Sequence, residues 1–175
     1  MTGPPLESSV AAFEQLYADT YLKVLAYARR RTESTAEADD VVSATFLVAW
    51  RRLDKVLGAD HPLAWLYAVA YRVNLNRRRS AARASRLRKR VHGLAAPVQD
   101  ITQITVEADE TLSQALQALA TLSPADQEIL RLAAFEQLTH EEIAQVLGIR
   151  PSLVRGRLFR ARQRLQVSFE QMEGR

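Results

Sequence analysis

From Phe13 to Leu165 apolar residues recur at intervals of three and four, and no convincing run alternates with the period of two that a strand needs. That one pattern predicts an all-α chain. Phe13, Leu16, Tyr17, Val24, Tyr27 and Ala28 fall on one stripe of a helix reaching Arg31. A second stripe over Ala38 to Leu53 buries Val41, Val42, Thr45, Phe46, Ala49 and Trp50, with Trp65 and Tyr67 also expected in the core. Pro62 is placed to open a third helix through Arg79, with Leu63, Leu66, Val69, Ala70 and Val73 at core spacing. The period is lost over residues 91–110, which carry Gly93 and Pro97 amid polar residues, and it resumes at Leu112. Two small helical domains joined by a flexible linker follow, over 10–90 and 111–170, with 91–110 between them. With 47% hydrophobic and 25% charged residues, the chain has enough apolar side chains for real cores.

The second domain is sharply punctuated. Ser123 stands at an N-cap, Pro124 at the first helical position and Asp126 in the first turn. "THEE" is a capping box in which Thr139 caps and Glu142 reaches back. The helix after it stops at Gly148, and Pro151 and Ser152 start another. A short capped helix, a glycine turn and a second helix make a helix-turn-helix.

Charge is distributed as unevenly as apolarity is regular. Arg72 to Arg90 holds nine basic residues and no acid, and Arg150 to Arg164 holds six more with no acid, so two short windows carry 15 of the 24 Lys and Arg. Between them, Asp100 to Glu142 has nine acids against the single Arg131. Two separate basic zones are the electrostatic footprint of a polyanion binder. Zero Cys removes disulfides and thiolate metal sites, and no apolar stretch approaches the roughly 20 residues of a membrane helix. "MTGPPLESS" shows no signal-peptide pattern, so a cytoplasmic protein free of membrane, metal and cofactor is expected.

An α-helix turns about 100° per residue, which sorts the arginine helix into faces. Val154, Leu158, Ala161 and Leu165 fall within an arc of roughly 140° and form the core stripe. Ser152, Arg155, Gly156, Phe159, Arg160 and Gln163 lie opposite, where a recognition helix would address base edges. Arg157, Arg162 and Arg164 sit on the flanks, suited to phosphate. In the first domain Tyr67, Tyr71, Arg72, Arg77, Arg78 and Arg79 offer π-faces and cations for single-stranded DNA.

The run "LATLSPADQEILRLAAFEQLTHEEIAQVLGIRPSLVRGRLFRARQRL" resembles the C-terminal DNA-binding domain of an extracytoplasmic-function (ECF) sigma factor of bacterial RNA polymerase. "ADDVVSATFLVAWRRLD" followed by "HPLAWLYAVAYRVNLNRRR" resembles the N-terminal domain of that family. The resemblance implies a subunit that directs core polymerase to promoter DNA and assists strand opening. It implies −35 recognition through Arg155, Phe159 and Arg160. It also implies −10 recognition by a loop around Asp60, His61 and Leu63 that captures a flipped base, with Tyr71, Arg72, Asn76, Arg77, Arg78 and Arg79 along the following helix. Asp39, Asp40, Ser43 and Phe46 fall in the segment that docks on the polymerase. Anti-sigma factors are common partners in the family. The chain departs from the family at Ser43 and Ala44, where Gln and Glu are frequent, at Arg72 for Asn, and at Leu153 and Gly156 for Thr and Ser. Its polymerase contact and promoter sequence are therefore expected to be its own.

Two rival readings have less behind them. An enzyme would need a site, yet His61, His92 and His140 are isolated, and "HEEIA" has Ala144 where a metalloprotease helix has its second His. A stand-alone helix-turn-helix regulator accounts for 111–165 and leaves the basic aromatic helix at 65–79 without a role.

Overall fold

The computed structural model describes residues 6–92 and 110–173, and every regular element among them is an α-helix. The chain divides into two units, residues 1–100 and 101–175. The expected linker lies outside the described residues, except that Val91 and His92 end one helix and Glu110 opens another.

The first unit contains α1 (Leu6–Arg29), α2 (Thr35–Arg51), the single turn and a half of α3 (Leu53–Leu57) and α4 (Pro62–His92). Ser34 caps α2 by accepting from the Glu37 amide at 3.2 Å, while the Glu37 carboxylate accepts from the Glu33 amide at 3.0 Å. This cap starts α2 three residues before the first apolar position of its stripe. α1, α2 and α4 pack against one another around Val24, Tyr27, Val41, Val56 and Leu66, all fully buried. Burying one such aliphatic side chain contributes about 1.5–3 kcal/mol relative to leaving it exposed. The Tyr27 and Tyr67 rings stack at 4.9 Å, and the Arg31 guanidinium lies 3.6 Å from the Tyr27 centroid on the helix's last turn.

Three expectations need correction here. α4 does not stop at Arg79 but continues to His92, because residues 80–92 are rich in strong helix formers and no Gly or Pro interrupts them before Gly93. Trp50 is not buried: the residue is 39% exposed, with the indole edge-on to Phe13 at 5.2 Å. Tyr17 is exposed as well, on an aromatic ladder that runs from Phe13 through Tyr17 to Tyr21 and closes on Phe46.

The second unit contains α5 (Glu110–Thr121), α6 (Pro124–Ala134), α7 (His140–Leu147) and α8 (Pro151–Glu173). α8 packs against α5, α6 and α7, so the last helix is the hub of this core. Ala118, Ile129, Leu132, Ile143, Val146 and Val154 fill it. Ser123 caps α6 through the Asp126 amide at 3.2 Å, with Pro124 as the first helical residue. α8 runs past Leu165 to Glu173, and the Thr121 and Ser168 hydroxyls meet at 2.7 Å to tie its late turns to the end of α5.

Candidate nucleic-acid interface

The α7–α8 pair is set by local chemistry. The Thr139 amide donates to the Glu142 carboxylate at 2.8 Å and the Glu142 amide to the Thr139 hydroxyl at 3.3 Å, completing the capping box. At the far end Gly148 takes a left-handed conformation, φ 65° and ψ 38°, and the Ile149 amide returns to the Ala144 carbonyl at 3.1 Å. A β-carbon at Gly148 would meet nothing within 4 Å, so glycine is needed for the dihedral angles and not for space. Arg150 follows, and Pro151 opens α8.

On α8 the two faces separate as the angular argument requires. Val154, Leu158 and Ala161 are buried, while Ser152, Arg155, Arg160 and Gln163 are exposed and Gly156 is half-buried between them. Phe159 is 61% exposed, an aromatic ring standing in solvent among arginines. A β-carbon on Gly156 would lie 3.5 Å from an Arg160 guanidinium nitrogen, so Arg160 folds back along the helix over the glycine. Arg157 and Arg162 are exposed on the flanks.

Arg164 differs from the other flank arginines. Its Nη1 donates to both Asp126 carboxylate oxygens at 2.9 and 2.8 Å, so its head is held by the first turn of α6. In this state the partner of this arginine, expected at a phosphate, is a carboxylate of its own unit.

In the first unit Asp60 and His61 are exposed immediately before α4, and the His61 carbonyl accepts the Trp65 amide at 3.0 Å. Arg72, Asn76, Arg78 and Arg79 are exposed, and Tyr71 is half-buried. Arg72, Asn76, Arg79 and Arg83 recur at helical spacing, so they share one face. Arg83 was missed by the sequence reading, which ended the helix at Arg79; the unbroken Ala- and Arg-rich run beyond it was the available signal. Arg77 is the exception on this helix. It is half-buried, forms a salt bridge with Glu37 of α2, and bonds Asn74 at 3.4 Å, while Asn74 donates to the Arg31 carbonyl at 3.3 Å. Arg77, expected on the DNA track, thus joins α4 to α2 in this structure.

Of the α2 residues assigned to the polymerase, Asp39, Asp40 and Ser43 are exposed. Phe46 is only 4% exposed, wedged against Tyr17 at 4.6 Å and edge-on to Phe13 at 6.3 Å, so it is a core residue and not a contact. Leu47 and Trp50 carry the exposed face onward instead, and Leu47 could have been found as the residue four after Ser43. Among the described residues no group of three His, Cys, Asp or Glu is placed to hold a metal ion, and no helix is long and apolar enough to cross a membrane.

A basic helix on a capped helix-turn-helix, with a second basic helix face on a separate unit, defines a DNA-binding protein. Residues 16–84 match the family model for sigma-70 region 2, and residues 112–165 match that for sigma-70 region 4. The chain is 31% identical over 157 residues to the RNA polymerase sigma factor YlaC of Bacillus subtilis, spanning 89% of this chain and 90% of that protein. It is 28% identical over 168 residues to the ECF RNA polymerase sigma factor SigL of Mycobacterium tuberculosis, spanning 94% and 93%. Its fold is similar to that of the sigma factor RpoE of Bartonella quintana, solved with the anti-sigma factor NepR, at a TM-score of 0.71 and 22% identity over 90% of this chain and 96% of that one. The chain belongs to the sigma-70 family. It is an RNA polymerase sigma factor of the ECF type, a subunit that directs core polymerase to promoters and assists their opening.

Proposed function

We propose that the second unit reads the −35 element with the outward face of α8 and the first unit reads the −10 element with the loop and exposed face of α4. The observation that carries this reading is the reading face itself: Ser152, Arg155, Phe159, Arg160 and Gln163 all stand exposed on the helix that follows the Gly148 turn. Arg155 and Arg160 pair with guanine edges in the major groove, and Phe159 covers a thymine methyl. Gly156 adds no side chain of its own to that face, and the Arg160 side chain lies over it. Arg157 and Arg162 bond phosphates and set the register without carrying sequence information.

On the first unit, Asp60 and His61 receive a base turned out of the stack, and Tyr71, further along α4, offers a ring for stacking. Arg72, Asn76, Arg78, Arg79 and Arg83 form the track along which the separated strand lies. Asp39, Asp40 and Ser43, extended by Leu47 and Trp50, dock on the polymerase. The domain limits 10–90 and 111–170, with 91–110 crossing the polymerase as a linker, belong to the same proposal. So do a cytoplasmic location, the absence of any catalytic role, and an anti-sigma partner, the last supported by the likeness to RpoE, which was solved with one.

The test is transcription in vitro by bacterial core polymerase on a library of genomic fragments, with and without the chain. The expected result is a set of chain-dependent start sites sharing two motifs at a fixed spacing. No new start sites, together with tight binding of the chain alone to a palindromic duplex, would overturn the proposal.

A further inference from the structure

The six cations from Arg150 to Arg164 are not equivalent, and the one that differs is held by a carboxylate built for it. Asp126 is half-buried, its side chain 16% exposed against 53% for Arg164. Its second oxygen also accepts the Ser123 hydroxyl at 2.9 Å, so the carboxylate is oriented before Arg164 arrives. Its place in the first turn of α6 lets the helix dipole favour the negative charge. Arg164 lies seven residues, two turns, beyond Arg157 and so on the same flank of α8, where a phosphate contact was expected.

Arginines on a DNA-facing helix raise affinity largely because a phosphate contact releases a condensed counterion into solution. The charge of Arg164 is already compensated within the chain by Asp126. Moving this arginine onto a phosphate would break two charge-assisted hydrogen bonds and leave a carboxylate facing a polyanion. The lost ion pair and the bared carboxylate would therefore offset the counterion released from the DNA, a cost that a contact made by Arg157 or Arg162 does not carry.

We propose that Asp126 withholds Arg164 from DNA and so sets the chain's non-specific affinity, leaving the base-reading face unaltered. The proposal rests on the placement of α8 at the duplex. Because phosphate contacts supply most sequence-independent binding, one fewer leaves less of the chain sequestered on non-promoter DNA.

The experiment measures binding of the full chain to a non-promoter duplex across a salt series, reading the slope of log K against log[salt]. Each phosphate contact contributes about 0.9 to that slope. Arg162→Ala should flatten it by about 0.9, whereas Arg164→Ala should leave it at the wild-type value. Asp126→Ala should steepen it by about 0.9 and tighten binding, and adding Arg164→Ala to that variant should cancel the gain. Asp126→Asn keeps an oxygen for the Ser123 hydroxyl, so it should steepen the slope in the same direction with the α6 cap intact. A slope flattened by Arg164→Ala in the wild-type background would overturn the proposal, and so would one unmoved by both Asp126 variants. Indifference to Arg162→Ala as well would instead remove the interface on which the proposal stands.

Discussion

α4 and α8 are both basic and both central to their cores, yet they separate the two roles along different directions. In α4 the separation runs lengthwise: Ala64 and Leu66 through Ala70 are buried, and from Arg78 onward the described side chains are exposed. In α8 it runs around the axis, with buried Val154, Leu158 and Ala161 interleaved with exposed Arg155, Arg157, Arg160 and Arg162. The charges consequently meet the helix dipole differently. Arg72 to Arg83 of α4 lie more than two turns from either end, outside the reach of the dipole. Arg150 stands just before α8, whose first turn holds no acid, so part of that cluster opposes the dipole. α8 thus carries a local electrostatic cost that α4 does not.

If the two cores are independent, single cavities should separate them. Leu66→Ala and Leu132→Ala each remove a fully buried leucine, and each should cost about 2–5 kcal/mol. Calorimetry should then show one of two transitions falling in each variant while the other holds. A single shared transition would break the comparison. Next in size, Arg155→Ala or Arg160→Ala should lose roughly 1–3 kcal/mol of discrimination between promoters, whereas Arg79→Ala should weaken all of them alike. Selection of chain-dependent start sites from a randomised −35 region measures this, and unchanged preference in Arg160→Ala would move the reading face elsewhere. The smallest effect concerns the dipole. Arg150→Ser removes the opposing charge and offers a capping hydroxyl, so it should raise the second unit's stability by about 0.5–1 kcal/mol while weakening DNA binding.

The comparison also explains what could be read in advance. Caps at Ser123 and Thr139, the turn at Gly148 and the faces of α8 were legible because each depends on residues within one or two turns of each other. A circumferential division of labour has a period, and a period survives in sequence. The lengthwise division in α4 has none past Val73, so its end was misplaced. On α2 the spacing allowed both Phe46 and Trp50 inward, and only the aromatic ladder from α1 decided that Phe46 is enclosed and Trp50 is not. The carboxylates paired with Arg77 and Arg164, Glu37 and Asp126, sit on other helices, and nothing near either arginine in sequence announces them.

That aromatic ladder has an optical consequence. Both tryptophans and all five tyrosines precede residue 72, and the second unit carries only phenylalanines. Absorbance at 280 nm and indole emission therefore arise wholly from the first unit, and α8 is dark. A fluorimeter would follow one half of this molecule with no background from the other, and a single tryptophan placed in the second unit would light it separately.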